Sequence, residues 1–467
     1  MYVILAIPVL LLSMALWRRA AGTLSVRHLN MSTYPFYILL VTSFFGATLT
    51  VQGIVEQRDL AYLYDPTVLP LGWALVMYMM VMVPIGMILA NATFGFDDAP
   101  GEIAEYQRRP IEPVLRWGET AMKAALFVAL CLAVVALIFT WRTLDVVPLF
   151  NVLRGERDAT LIAGFRQGAR LNIAERPFFV SLLELFIGFT QVVALAVFAY
   201  WWKSRQRRDG IFLALAMLIT VIALSYNATK TPILLFLSGL LVVMVAVRGS
   251  VPRWVVGAMT IAGIAGAVAM YVVLRAALGD GTIGLDTVVY NVVVGRIATG
   301  QLVPYFLALD IFPRSLPFIG FGSTGRLIHE LLGLPVVENY GLAIMAVFDP
   351  DGVQAGTTGH ATTIFMGEAW ANFGWIGVLG APLLVGWVIQ AFHLAFVRAR
   401  KTPLALGLYG YIAFNFTITS GIQGFYYPAW LIQLISVTAF VLVIAFAVRA
   451  IFLTSLSQRP HDDAAGS

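Results

Sequence analysis

Apolar residues run along this chain in uninterrupted blocks of about twenty, separated by short polar and charged stretches. A block of that length carries an α-helix across the ~30 Å hydrocarbon core of a bilayer. The pattern predicts spans near 2–17, 34–55, 70–93, 121–141, 179–202, 211–226, 232–247, 254–274, 370–397, 403–421 and 428–449, about eleven in all. The expected fold is an all-α polytopic membrane protein with a large, partly helical loop near the C-terminal third. Its expected units are helices one to four (1–141), a first loop (142–178), helices five to eight (179–274), the large loop (275–362), helices nine to eleven (363–450) and a polar tail (451–467).

Composition excludes a soluble domain, because 60% of residues are apolar and 12% charged, against roughly 25% charged in soluble proteins. Charge then orients the spans. Arg18, Arg19 and Arg27 follow the first, Arg108, Arg109 and Arg116 the third, and Lys203, Arg205, Arg207 and Arg208 the fifth. Arg248 and Arg253 follow the seventh, and Arg398, Arg400 and Lys401 the ninth. All fall on one side, which the positive-inside rule makes cytoplasmic. The N-terminus is then outside and the tail inside. The first block carries its arginines after its apolar run, so it reads as an anchor and not a signal peptide. The net charge of +5 comes from these clusters and calls for no nucleic acid. Cys131 lies within the fourth span and has no partner cysteine in the chain.

Both long loops fall outside. The first carries Arg142, Arg154, Arg157, Arg166, Arg170 and Arg176, with an amphipathic stretch at 162–173 suited to the membrane interface. The large one carries Arg275, Arg296, Arg314 and Arg326, yet its seven acidic residues outnumber its four arginines, so it is no general basic patch. Guanidinium matches phosphate oxygens with a fixed fork of donors, which makes single arginines phosphate candidates. Spans six and seven are short, so their connector Asn227-Ala-Thr-Lys-Thr-Pro232 sets Lys230 at membrane depth, where an ionisable group is a functional candidate. The string Gly320-Phe-Gly-Ser-Thr-Gly325 lacks the strand before it and the Gly-Lys-Ser/Thr after it that a nucleotide loop needs. Helical stretches near 286–309 and 326–333 are expected to cap the membrane domain. The apolar stretch from Ala361 to Val397 is too long for one crossing and is expected to break near Gly374 or Gly377. That break leaves His360 and Glu368 at the outer mouth, an imidazole and a carboxylate able to activate a hydroxyl. No metal-ligand spacing is present, so electrostatic work falls to arginine and lysine.

In layout the chain resembles the bacterial oligosaccharide repeat-unit polymerases, the O-antigen or exopolysaccharide polymerases, and their relatives the O-antigen ligases. The local likenesses are Asn227-Ala-Thr-Lys-Thr-Pro232 and Gly367-Glu-Ala-Trp-Ala-Asn-Phe-Gly-Trp-Ile-Gly377. The Arg-x10-Gly pattern described for each periplasmic loop fits Arg157 with Gly168 and Arg314 with Gly325. The resemblance implies metal- and cofactor-independent glycosyl transfer at the outer leaflet of the bacterial inner membrane. Donor and acceptor would be undecaprenyl-diphosphate-linked oligosaccharides. Lys230, Arg157, Arg166, Arg314 and Arg326 would bind the diphosphate, and His360, supported by Glu368, would activate the acceptor hydroxyl. Chain-length regulators and flippases are the protein partners it implies. Two rivals stand: an O-antigen ligase of the same chemistry, and a transporter or flippase of lipid-linked glycan. No repeated halves favour the latter.

Overall fold

The computed structural model describes residues 1–55, 60–61, 63–115, 118–144, 146–154, 178–227, 231–276, 285–323, 333, 340–355, 361–416, 418, 421–426 and 429–457. Among them every regular element is helical. The main helices are α1 (Tyr2–Ala21), α2 (Tyr34–Val51), α3 (Val68–Thr93), α4 (Ala99–Arg108), α5 (Glu119–Thr143), α6 (Phe178–Ser204) and α7 (Arg207–Ser225). They continue as α8 (Thr231–Arg248), α9 (Arg253–Ala276), α10 (Leu302–Ile311), α11 (Phe365–Arg398), α12 (Pro403–Asn415) and α13 (Ala429–Ser457). Eight are long and apolar enough to cross a membrane: α1, α2, α3, α5, α6, α7, α11 and α13. Large apolar side chains stay exposed along them, Ile4 at 73%, Ile211 at 61% and Val443 at 65%. Water would not tolerate such belts, and lipid does.

Where helices meet, small residues let backbones touch, as expected without a hydrophobic force between spans. α3 and α11 cross at Gly86 and Gly386. A Cβ on Gly386 would stand 1.9 Å from the Val83 carbonyl oxygen, and one on Gly86 2.2 Å from that of Leu383. Pro84 lies at this crossing, and proline frees the carbonyl four residues earlier. That carbonyl, Met80, accepts from the Ser13 hydroxyl of α1 at 2.7 Å, so the kink leaves no unmet acceptor in the apolar interior.

The basic clusters spaced along the sequence converge at one end of the bundle. Arg27 and His28 meet Val251 and Gly249, and Arg109 reaches the Val397 carbonyl. Arg398 pairs with Glu102, Arg400 with Glu112 and Lys203 with Glu119. Lys401, 2% exposed, donates to the carbonyls of Tyr106, Gln107 and Arg109 at 3.0–3.2 Å and caps the C-terminus of α4. Burial, then Arg109, pushes its ammonium down to about 8.

One expectation needs correction. The tenth predicted span, 403–421, is helical for only 13 residues as α12, roughly 20 Å at 1.5 Å per residue. Past Asn415 the described residues Phe416, Ile418, Gly421 and Ile422 are not helical, and α11 uses their polar groups: Phe365 N–H donates to the Ile418 carbonyl at 3.0 Å. The helical stretch expected near 286–309 is present as Leu285–Tyr290, Asn291–Ala298 and α10, while 326–332 lies outside the described residues. Every residue of α10 except Pro304 is buried. Tyr305 donates to the Gly72 carbonyl of α3 at 3.1 Å, so α10 is wedged against the spans. Its apolar composition makes that burial the stable solution.

Candidate functional site

The end of the bundle opposite the basic clusters holds a second polar region, organised by the first turns of α11. This helix is interrupted at Gly374, whose φ of 56° and ψ of −132° leave helical space, a conformation that glycine adopts at little cost. The Phe318 ring packs where a side chain at 374 would project. The break comes where helix length and glycine placement predict it. It separates a short helical segment, Phe365 to Phe373, from the membrane-spanning remainder.

Glu368 sits one turn into that segment and is fully buried. Its Oε2 accepts from the backbone N–H of Ile422 at 2.5 Å and of Gln423 at 3.3 Å. The approach requires a glycine at 421, since a Cβ there would stand 2.1 Å from Oε2. Oε1 is buried and makes no close hydrogen bond among the described residues, with the Ser323 hydroxyl the side-chain donor that faces the carboxylate. One turn on, Asn372 Nδ2 donates to Ser323 Oγ at 2.7 Å and to the Tyr426 hydroxyl at 3.1 Å, while its Oδ1 is also buried and unpartnered. Ser323 and Tyr426 are 3.2 Å apart. Two acceptors without a close hydrogen bond in one buried cluster are costly unless something donates to them.

Aromatic rings surround this cluster and partly face outward. Phe321 meets Phe373 edge-on at 5.0 Å and Tyr426 at 6.2 Å, and Trp370 meets Trp375 at 5.4 Å. Trp375 is 52% exposed, with Phe318 and Phe321 beside it also exposed. The Trp370 indole donates to the Phe312 carbonyl at 2.9 Å, fastening the turn that carries Arg314 to the Glu368 segment.

Arg314 is held between two carboxylates, Asp310 Oδ1 and Asp65 Oδ2, each at 3.1 Å. Asp310 also accepts from the Tyr64 N–H at 2.6 Å. The Thr67 hydroxyl and N–H, then Arg314, hold the Asp65 carboxyl below its usual range. The guanidinium thus joins the loop before α3 to the end of α10 and remains about half-exposed, at 47%. Its charge is balanced locally, so binding an anion would require it to exchange one carboxylate.

Of the residues singled out from sequence, Glu368 and Arg314 are placed. His360, Lys230, Arg157, Arg166 and Arg326 lie outside the described residues. Asn372, Ser323, Tyr426, Asp65 and Asp310 join the site without having been assigned a role from sequence. Asn372 and Ser323 each lay inside a noted motif, but what they contact comes from chain segments about fifty residues away. Comparison with family models, curated proteins and solved structures finds no match to the chain.

Proposed function

We propose that this chain is a membrane glycosyltransferase that polymerises undecaprenyl-diphosphate-linked oligosaccharide units at the outer leaflet of a bacterial inner membrane. In this reading about eleven spans cross the membrane, and the Glu368 end of the bundle faces the periplasm. The observation that carries the proposal is the buried Glu368–Asn372–Ser323–Tyr426 cluster beside exposed Phe318, Phe321 and Trp375. Acceptors without a close hydrogen bond suit the hydroxyls of a sugar, and exposed rings at a membrane boundary give an amphipathic ligand an apolar face. In the reaction an acceptor hydroxyl oxygen attacks the donor anomeric carbon, the bond to the diphosphate breaks, and the hydroxyl proton passes to a base. His360, with Glu368, is assigned that proton. Arg314, Arg326, Arg157, Arg166 and Lys230 are assigned to the departing diphosphate. Flippase and chain-length proteins are the expected partners.

An O-antigen ligase would use the same groups. Transport has one specific observation in its favour: α11 is interrupted at Gly374, and its segment before the break meets non-helical residues after α12. Discontinuous helices of this kind form transporter sites. Deleting the gene and analysing lipid-linked glycan separates the three. Loss of a polymerase leaves single repeat units, and loss of a ligase leaves long chains on the carrier lipid. Units retained on the cytoplasmic leaflet mean transport and refute the proposal.

A further inference from the structure

A cavity of about 450 Å³ opens at the arginine-bearing end of α1, away from the Glu368 cluster. Its walls are half apolar, from Met14, Ala15 and Leu24, and half polar, from Arg18, Thr23 and Ser25. The polar half offers donors. Thr23 Oγ1 accepts from the Ser25 N–H at 3.0 Å and Ser25 Oγ from the Arg27 N–H at 3.3 Å. Each hydroxyl has therefore spent acceptor capacity on the backbone and keeps its proton to give. Arg18 is exposed and makes no hydrogen bond or ion pair among the described residues. Six other cations at this end, Arg109, Lys123, Lys203, Arg398, Arg400 and Lys401, are committed to Glu102, Glu105, Glu112, Glu119, Asp209 or backbone carbonyls.

A helix C-terminus normally presents carbonyl oxygens that repel an anion. Here the carbonyls of Ala20, Ala21 and Leu24 are turned inward and taken. The Ala20 carbonyl accepts from Asn91 and Gln390 at 3.0 and 3.1 Å, Ala21 from Asn30 at 3.4 Å, and Leu24 from the Tyr37 hydroxyl. No acidic residue lines the cavity. The nearest helix start, α4, packs its Pro100 against Gly22, and its Asp98 carboxylate is folded onto the Gly101 N–H at 3.1 Å.

We infer that this cavity is a binding site for one anionic phospholipid, with its phosphate on Arg18, Thr23 and Ser25 and its acyl chain along Met14, Ala15 and Leu24. The charge matches, and Met14 and Ala15 lie about one turn before Arg18 on α1, on the side toward the middle of the span. Guanidinium and hydroxyl donors take phosphate, while the apolar wall at the end of a span takes the chain. The site is independent of the proposed glycosyl transfer.

The test is native mass spectrometry of the full-length protein in detergent, titrated with phosphatidylglycerol or with phosphatidylcholine of identical chains. The expected result is one phosphatidylglycerol bound about tenfold more tightly, or 1.4 kcal/mol. Arg18→Gln should remove that preference. Met14→Trp, which fills the apolar half without changing charge, should weaken binding of the same lipid. Arg19→Gln, one position away, should leave it unchanged. Equal affinity for the two lipids overturns the inference, as does an Arg19→Gln loss equal to that of Arg18→Gln. Displacement of the lipid by millimolar inorganic phosphate, or full binding by Met14→Trp, overturns the lipid assignment.

Discussion

Replacing Glu368 separates what its carboxylate holds from what it does. In Glu368→Ala, the N–H groups of Ile422 and Gln423 lose the acceptor they use at 2.5 and 3.3 Å. Each buried donor left unmet costs about 1–3 kcal/mol, so the loss is about 2–6 kcal/mol. That is a large share of a typical total of about 5–15 kcal/mol. Glu368→Gln keeps one oxygen for both N–H groups. It puts an amide nitrogen where Oε1 now makes no close hydrogen bond, so its cost is about 1–2 kcal/mol. Stability is measured by thermal unfolding of purified protein, and function by the length distribution of lipid-linked glycan at matched membrane levels. The alanine variant should unfold well below wild type. The glutamine variant should melt within a few degrees of it, yet lose polymer at least about 100-fold if the carboxylate handles a proton. Wild-type glycan from Glu368→Gln would leave the side chain as a backbone clamp alone. Equal destabilisation by both substitutions would refute the hydrogen-bond argument itself.

Arg314→Ala strips a partner from Asp310, whose side chain is fully buried, and should cost about 2–4 kcal/mol in chemical unfolding. Asp65→Asn, at an exposed pair, should leave the unfolding midpoint close to that of wild type. Gly386→Leu drives a side chain into the Val83 carbonyl, and overpacking of about 1–3 kcal/mol or more should lower thermal stability and membrane yield. Lys401 sits at about 8 in the folded chain against 10.5 when unfolded. The unfolded state therefore binds more protons between those values, and this group makes stability rise with pH across that window. Lys401→Met should flatten that rise in melting curves taken at successive pH values, and should destabilise at pH 7 by leaving three carbonyls without their donor.

Eight of the eleven predicted span positions match helices long and apolar enough to cross, because lipid is a uniform solvent and apolar run length reports such a helix. The one-sidedness of the basic clusters was readable for a related reason, and contacts such as Arg398 with Glu102 and Arg27 with Val251 show those clusters meeting. The break at Gly374 followed from a helix too long for the bilayer with a glycine in it. Run length fails where backbone hydrogen bonds decide. The stretch after Asn415 looks apolar enough to continue a helix, yet its groups serve Phe365 and Glu368 from α11. Thr417, Thr419, Ser420 and Gly421 were the local sign of it. Arg314 was picked as a diphosphate candidate by position; Asp310 four residues before it was within reach of spacing, but Asp65 lies 249 residues away, a pairing that no spacing argument reaches.

The bonds across the interrupted helices bear on chemistry against transport. A rocking transporter needs the two sides of its broken helices to slide. Here the Glu368 segment is fastened to two chain stretches at once: to Ile418, Ile422, Gln423 and Tyr426, and to Phe312, Ile319 and Ser323. At about 0.5–1.5 kcal/mol net each, seven such bonds oppose sliding by several kcal/mol. A transferase gains from that stiffness, because donors and acceptors held in place need no rearrangement as charge develops. Hydrogen exchange reads the difference. The amides of Ile319, Ile422 and Gln423 should exchange slowly, and equally so with and without lipid-linked glycan. Deprotection of all three when the glycan binds would mean that the segment moves as a gate, and would shift the balance to transport.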